Sequence, residues 1–111
     1  MSSIFETGLL GEMRAAAYLK KQGMRILHTR YRTPHGEIDL IAKDKDTIVF
    51  VEVKARPKGQ AGEGLLAVNG KKRGHLRYAA MCYLKTHPWE QARFDVVEIS
   101  ADGLRHIKNA F

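Results

Sequence analysis

Apolar residues recur along this chain with two different periods. Between residues 6 and 22, Leu9, Met13, Ala16 and Leu19 return every three or four positions, the spacing of a helix that lays one face on a core. Ser3 and Glu6 have the Ser-x-x-Glu form of a capping box, and Gly23 is a suitable left-handed stop. A second helical period gathers Leu76, Ala79, Ala80, Tyr83 and Leu84 within residues 71–86. The remaining apolar segments are short and strand-like, over residues 24–31, 37–42, 47–54, 93–99 and 104–107. Turns are expected at residues 33–36, at residues 43–46 and at Asp102-Gly103. The run Ile48-Val49-Phe50-Val51 does not alternate, which predicts a strand covered on both faces. Residues 57–64 read as a mobile, basic, glycine-rich loop. Helix, three strands, helix and two strands predict an α/β fold, a mixed central sheet of about five strands flanked by helices. With no repeat, low-complexity tract or linker, the 111 residues read as a single domain over residues 1–111.

Composition narrows the setting. No apolar run approaches the roughly 20 residues of a membrane-spanning helix, and the first residues lack the basic start and apolar core of a signal peptide. One cysteine, Cys82, excludes an internal disulfide and any multi-cysteine zinc site. A cytoplasmic location without membrane contact is expected. Charge adds a partner. Lys and Arg number 19 against 12 Asp and Glu, a net charge of +7, and most of the excess falls in residues 55–93. Such a balance suggests a polyanion, with a solvated basic surface as the competing reading. Lys71, Lys72 and Arg73 open the second helix and Arg77 follows one turn on. Cations at a helix N-terminus cost roughly 0.3–1 kcal/mol each, and a phosphate would turn that cost into attraction. A helix beginning earlier, near Leu65, would instead leave them in mid-helix. With Arg56 and Lys58, these four make the expected nucleic-acid-binding surface.

Acidic residues supply the candidate chemistry. Glu52 and Lys54 are two apart on one strand, so they share a face about 6.6 Å apart. A hairpin centred on Lys45-Asp46 sets Asp39 opposite Glu52, where paired Cβ atoms lie about 4.5–5.5 Å apart. Two carboxylates so placed repel unless a proton or cation separates them. A divalent metal with oxygen ligands, Mg²⁺ or Mn²⁺, would account for them. It would lower the pKa of a bound water and stabilise charge on a phosphate, with Lys54 orienting the water. Glu12, inside the apolar stripe of the first helix, would complete or polarise the metal shell. The competing reading is an ion pair of Lys54 with Glu52 or Asp39 and no metal.

Three segments carry a resemblance. Gly11-Glu12-x-x-Ala15-x-x-Tyr18-Leu19, Gly36-Glu37-Ile38-Asp39-Leu40-Ile41-Ala42 and Phe50-Val51-Glu52-Val53-Lys54-Ala55-Arg56 resemble the bacterial YraN-like family. That largely uncharacterised family is similar to the archaeal Holliday-junction resolvases, and both belong to the restriction-endonuclease-like superfamily of PD-(D/E)xK nucleases. The resemblance covers nearly the whole chain. It implies a restriction-endonuclease-like fold, with Asp39, Glu52 and Lys54 on the catalytic Asp, Glu and Lys positions and Glu12 on the resolvase branch's helical Glu. Arg30 stands where that family is expected to carry Asn. The implied function is a Mg²⁺-dependent nuclease hydrolysing DNA, ahead of RNA, and selecting branched or damaged structures. Since related resolvases are dimers, a homodimer is also implied. The alternatives are a nucleic-acid-binding protein that uses the fold without cleaving, and a scaffold acting through protein contacts.

Other conspicuous residues have plainer readings. His35 is expected as a polar turn residue, Cys82 as a small buried hydrophobe, and Trp89 as a core or dimer anchor.

Overall fold

The computed structural model describes residues 4–87 and 91–111. The first helix, α1 (Ile4–Lys21), is followed by β1 (Arg25–Thr33), β2 (Gly36–Asp44) and β3 (Thr47–Arg56). A short helix α2 (Glu63–Leu66) and the longer α3 (Gly70–Leu84) then lead to β4 (Gln91–Ser100) and β5 (Gly103–Ile107). The strands form one five-stranded sheet in the order β1-β2-β3-β4-β5. Only β3 and β4 are parallel; the other neighbours are antiparallel. A parallel pair requires a crossover, and α2 and α3 provide it. The expected α/β architecture, a mixed sheet of five strands with flanking helices, is what the chain adopts.

The two apolar faces of the sheet are covered by different helices. Leu76, Ala79, Ala80 and Tyr83 of α3 pack with Ile38, Ile41, Ile48 and Phe50, while Ala15 and Leu19 of α1 pack with Leu40, Ala42, Val49 and Val51. Successive β3 residues thus enter opposite clusters, as the unbroken apolar run predicts. The turn at Lys45-Asp46 also falls where expected: Asp44 pairs with Thr47, and Lys45 takes φ 55°.

Three local expectations need correction. The buried stripe of α1 is Gly11, Ala15 and Leu19, whereas Leu9 and Met13 are exposed. Small residues let this helix approach β3, and the larger ones turn outward. Glu12 is consequently half-buried at the edge of the contact. Residues 57–64 do not form a loose loop. The Gly59 carbonyl accepts the Ala101 N–H, Asp102 accepts the Ala61 N–H, and Glu98 accepts the N–H groups of Gly62 and Leu65. Cys82 is half-buried rather than buried. The helix stop at Gly23 does form: its φ is 91°, and Met24 N–H reaches the Leu19 carbonyl at 3.0 Å, the bond of a Schellman turn. Ser3 of the proposed capping box and Trp89 lie outside the described residues. No helix among the described residues is long and apolar enough to cross a membrane.

Candidate functional site

The site forms where the sheet opens. Pairing of β2 with β3 ends at Leu40 and Val51, while β3 and β4 remain paired to Arg56 and Ser100. Beyond Val51 the side of β3 toward β2 has no strand partner, and its main-chain groups need another. Asp39 supplies one, its Oδ2 accepting the Val53 N–H at 2.8 Å. Register carried past Leu40 and Val51 sets Asp39 opposite Glu52. Both line an open cavity of about 870 Å³ with Glu12, Lys54, Arg56, Lys58 and Lys72.

The backbone is distorted on the other side of Asp39 as well. Thr29 pairs with Leu40 and Tyr31 with Ile38, which leaves Arg30 opposite Asp39. Arg30 adopts φ 53°, a left-handed conformation that non-glycine residues rarely occupy and that tends to cluster at functional sites. Its Nε donates to Glu12 Oε2 at 2.8 Å. Glu12 therefore faces the cavity as the partner of Arg30. Hydrogen bonding and charge from Glu12 raise the Arg30 pKa further, so the guanidinium stays charged.

Glu52 is the unusual group. It is 3% exposed, with Lys54 Nζ at 3.7 Å from Oε1 and Lys72 Nζ at 3.7 Å from Oε2. These ion pairs are too long to be hydrogen bonds, and Oε2 is buried with no hydrogen-bond partner among the described residues. Burial, followed by hydrogen bonding and charge from Asp39, pushes the Glu52 carboxyl up to about 8 against the pull of Lys72 and Lys54. Such a carboxyl needs a proton or a cation beside it.

Whether these residues suit a divalent cation is a question of donor chemistry. Asp39 and Glu52 offer hard oxygen donors, and Glu52 Oε2 is left without a hydrogen-bond partner among the described residues. Among the described residues no group of three His, Cys, Asp or Glu is arranged to hold a metal. Two carboxylates suit magnesium, which keeps several waters and is often held by one or two carboxylates plus substrate phosphates. The residues present fit that mode of binding.

Placement of the expected basic residues is mixed. Arg56, Lys58 and Lys72 line the cavity. Lys72 gets there because Asn69 caps α3, its side chain accepting the Lys72 N–H at 3.0 Å; the helix does not continue back to Leu65. Lys71 is exposed and outside the cavity. Arg73 donates to the Val68 carbonyl, and the guanidinium groups of Arg73 and Arg77 lie 5.2 and 5.6 Å from the Phe111 ring centre. These two arginines hold the C-terminus and do not reach the carboxylates.

Sequence reasoning missed Glu98. It is 1% exposed, lies beside Lys54 across the parallel ladder, and fixes the wall that carries Arg56 and Lys58 through its bonds to Gly62 and Leu65. Gly64 allows this approach, since a Cβ there would lie 2.9 Å from Glu98 Cγ and from Lys54 Cβ. The available signal was an acid in an apolar strand, Val96-Val97-Glu98-Ile99.

Fold and site together define an α/β protein whose diverging central strands hold a buried Glu52 carboxyl between two lysines, beside a half-buried Asp39. Within that class, the chain belongs to the Uncharacterised protein family UPF0102, whose family model matches residues 11–99. It is 47% identical over 117 residues to a UPF0102 protein of Syntrophus aciditrophicus (strain SB), covering 100% of this chain and 92% of that protein. It is 46% identical over 112 residues to one from Syntrophomonas wolfei, covering 96% and 97% of the two chains. A Rhodopseudomonas palustris UPF0102 protein is 44% identical over 111 residues, covering 96% and 84%.

Proposed function

We propose that this protein is a divalent-metal-dependent nuclease that hydrolyses phosphodiester bonds of DNA, selecting structure rather than sequence. The observation that carries the reading is the buried Glu52 carboxyl, with an orphaned oxygen, beside Asp39 and between Lys54 and Lys72. A structural ion pair requires neither the second carboxylate nor the open cavity. Asp39 and Glu52 would hold Mg²⁺ or Mn²⁺, which supplies Lewis-acid activation of water and charge neutralisation at the phosphate. Lys54 orients the attacking water and offsets charge developing on phosphorus. Lys72 contacts the phosphate from the helix side, and Arg56 and Lys58 hold the flanking backbone. Glu12 acts through Arg30, keeping a cation close to Asp39. The resemblance to restriction-endonuclease-like nucleases agrees with this assignment of Asp39, Glu52 and Lys54. Phosphate contacts position a nucleic acid but carry no base information, and the cationic rim supplies contacts of that kind.

The test is incubation with linear, flapped and four-way DNA, with Mg²⁺, with Mn²⁺ or with EDTA. Metal-dependent cleavage of a branched substrate, lost in Asp39→Asn, is expected. Salt-sensitive DNA binding without cleavage under any metal would favour a binding protein built on the same fold.

A further inference from the structure

A second cavity adjoins the first. It has a volume of about 500 Å³ and lies between the β1–β2 turn and α3, with Arg32, His35, Glu37, Lys72 and His75 among its lining residues. Lys72 lines both cavities, so the two meet at one cation. The turn is seated closely on the helix. A Cβ at Gly36 would collide with the His75 carbonyl oxygen, so any larger residue there would push the turn off α3 and remove this seam. His35 also rests edge-on against Tyr78, with ring centres 5.3 Å apart.

The lining has the chemistry of an anion site. Arg32 and Lys72 contribute positive charge, His35 and His75 can donate hydrogen bonds, and among the described residues Glu37 is the one acid lining the cavity. Glu37 is a weak competitor for Arg32: their 3.7 Å ion pair joins side chains that are 69% and 48% exposed. Exposed pairs of this kind contribute little, so a phosphate can displace the carboxylate and bind the guanidinium in its preferred forked geometry.

We propose that this second cavity binds the phosphate next to the reacting one on the same nucleic-acid strand, with Lys72 shared between the two. The inference rests on the proposed function for its ligand class and adds where the strand runs. The backbone leaves the carboxylate pair past Lys72 and crosses the seam between the β1–β2 turn and α3. It leaves by this side rather than along the Arg73 and Arg77 face of the helix. The substrate is therefore a polynucleotide with a phosphate beyond the reacting linkage, which a mononucleotide or a simple phosphodiester lacks.

Salt dependence of binding tests this without requiring cleavage. Affinity for a labelled duplex oligonucleotide is measured by fluorescence anisotropy in EDTA across a salt series, for wild type, Arg32→Gln, Glu37→Gln and Lys71→Ala. Each phosphate contact contributes about 0.9 to the log–log slope on duplex DNA. Arg32→Gln should flatten the slope by about that amount, a difference of roughly threefold in affinity between 50 and 200 mM salt. Glu37→Gln should bind more tightly, because the competing acid is gone. Lys71→Ala, outside both cavities, should leave the slope unchanged. An unchanged slope in Arg32→Gln, or equal effects of Arg32→Gln and Lys71→Ala, would overturn the proposal. Because neither metal nor turnover enters the measurement, the Arg32 slope decides this inference even if the wild type cuts nothing. A wild type with no salt-sensitive DNA binding would overturn both this inference and the proposed function.

Discussion

Replacing Glu52 with Gln should make the protein more stable at pH 8 while removing its chemistry. Glu52 is 3% exposed and Asp39 adjoins it, so its carboxyl is pushed up to about 8 despite two lysines at 3.7 Å. An acid with a raised folded-state pKa supports folding fully below its unfolded pKa. That support is lost as the pH rises through the folded value. Here the window runs from the ordinary 4.5 to about 8. At about 1.36 kcal/mol per pH unit, the full span corresponds to about 5 kcal/mol. Gln keeps the shape and removes the charge but leaves a polar group buried, so roughly 2–4 kcal/mol should be recovered at pH 8 and almost nothing at pH 5. Urea melts of both proteins in EDTA at pH 5, 6.5 and 8 measure the difference, which should grow with pH. A variant destabilised equally at all three, by the roughly 3–5 kcal/mol that breaking a buried ion pair costs, would refute the reasoning. Glu52 would then be the ionised structural partner of Lys54 and Lys72.

Further outcomes follow from the same geometry. Mg²⁺ or Mn²⁺ should raise the wild-type melting temperature, since a ligand of the native state stabilises it, and should leave Asp39→Asn and Glu52→Gln unmoved in the same titration. In DNA binding, Lys72→Ala should lower the salt slope by about 0.9, whereas Arg77→Ala should leave it unchanged, because Arg77 lies over Phe111. Asp95 is 0% exposed; burial alone would raise its carboxyl, but His106, Arg93 and the Asn109 N–H outweigh that and hold it below 3.8. Its stabilising contribution is therefore present above pH 3.8 and lost as pH falls below it. Asp95→Asn should cost about 3–5 kcal/mol near pH 7, read by urea melts, and flatten the acid limb of the stability profile. Glu98→Gln keeps only one good acceptor for the two N–H groups, so it should cost about 1–3 kcal/mol and speed tryptic cleavage after Lys58.

Local pattern made much of this fold legible, and long-range packing hid the rest. Register was readable because a two-residue turn at Lys45-Asp46 leaves one pairing for the flanking strands, and that pairing brings Asp39 to Glu52. The core face of α3 was readable because Leu76, Ala79, Ala80 and Tyr83 are spaced for one side of a helix. The face of α1 was misread, since hydrophobicity marked Leu9 and Met13 while close approach to β3 required Gly11 and Ala15. Pairing between distant residues left no periodic trace. The hydrogen bonds that Glu98 accepts from the Gly62 and Leu65 N–H groups span 36 and 33 residues, and so a segment rich in glycine read as loose. Charge alone could not separate the cations of α3. Lys72, Arg73 and Arg77 look alike in sequence, and only the cap at Asn69 and the position of Phe111 send one to the cavity and two to the C-terminus.

Lys54→Ala offers the most direct measurement, made by assaying DNA binding and Mg²⁺-dependent cleavage of a branched substrate side by side with wild type. Lys54 lines an open cavity at 22% side-chain exposure, and Lys72 remains beside Glu52 when it is removed. The variant should therefore fold, bind DNA within about threefold of wild type, as expected for the loss of at most one phosphate contact, and cleave nothing. A wild type that cuts no substrate with Mg²⁺ or Mn²⁺, together with a Lys54→Ala protein destabilised by about 3–5 kcal/mol, would contradict the account and make Lys54 the structural partner of Glu52.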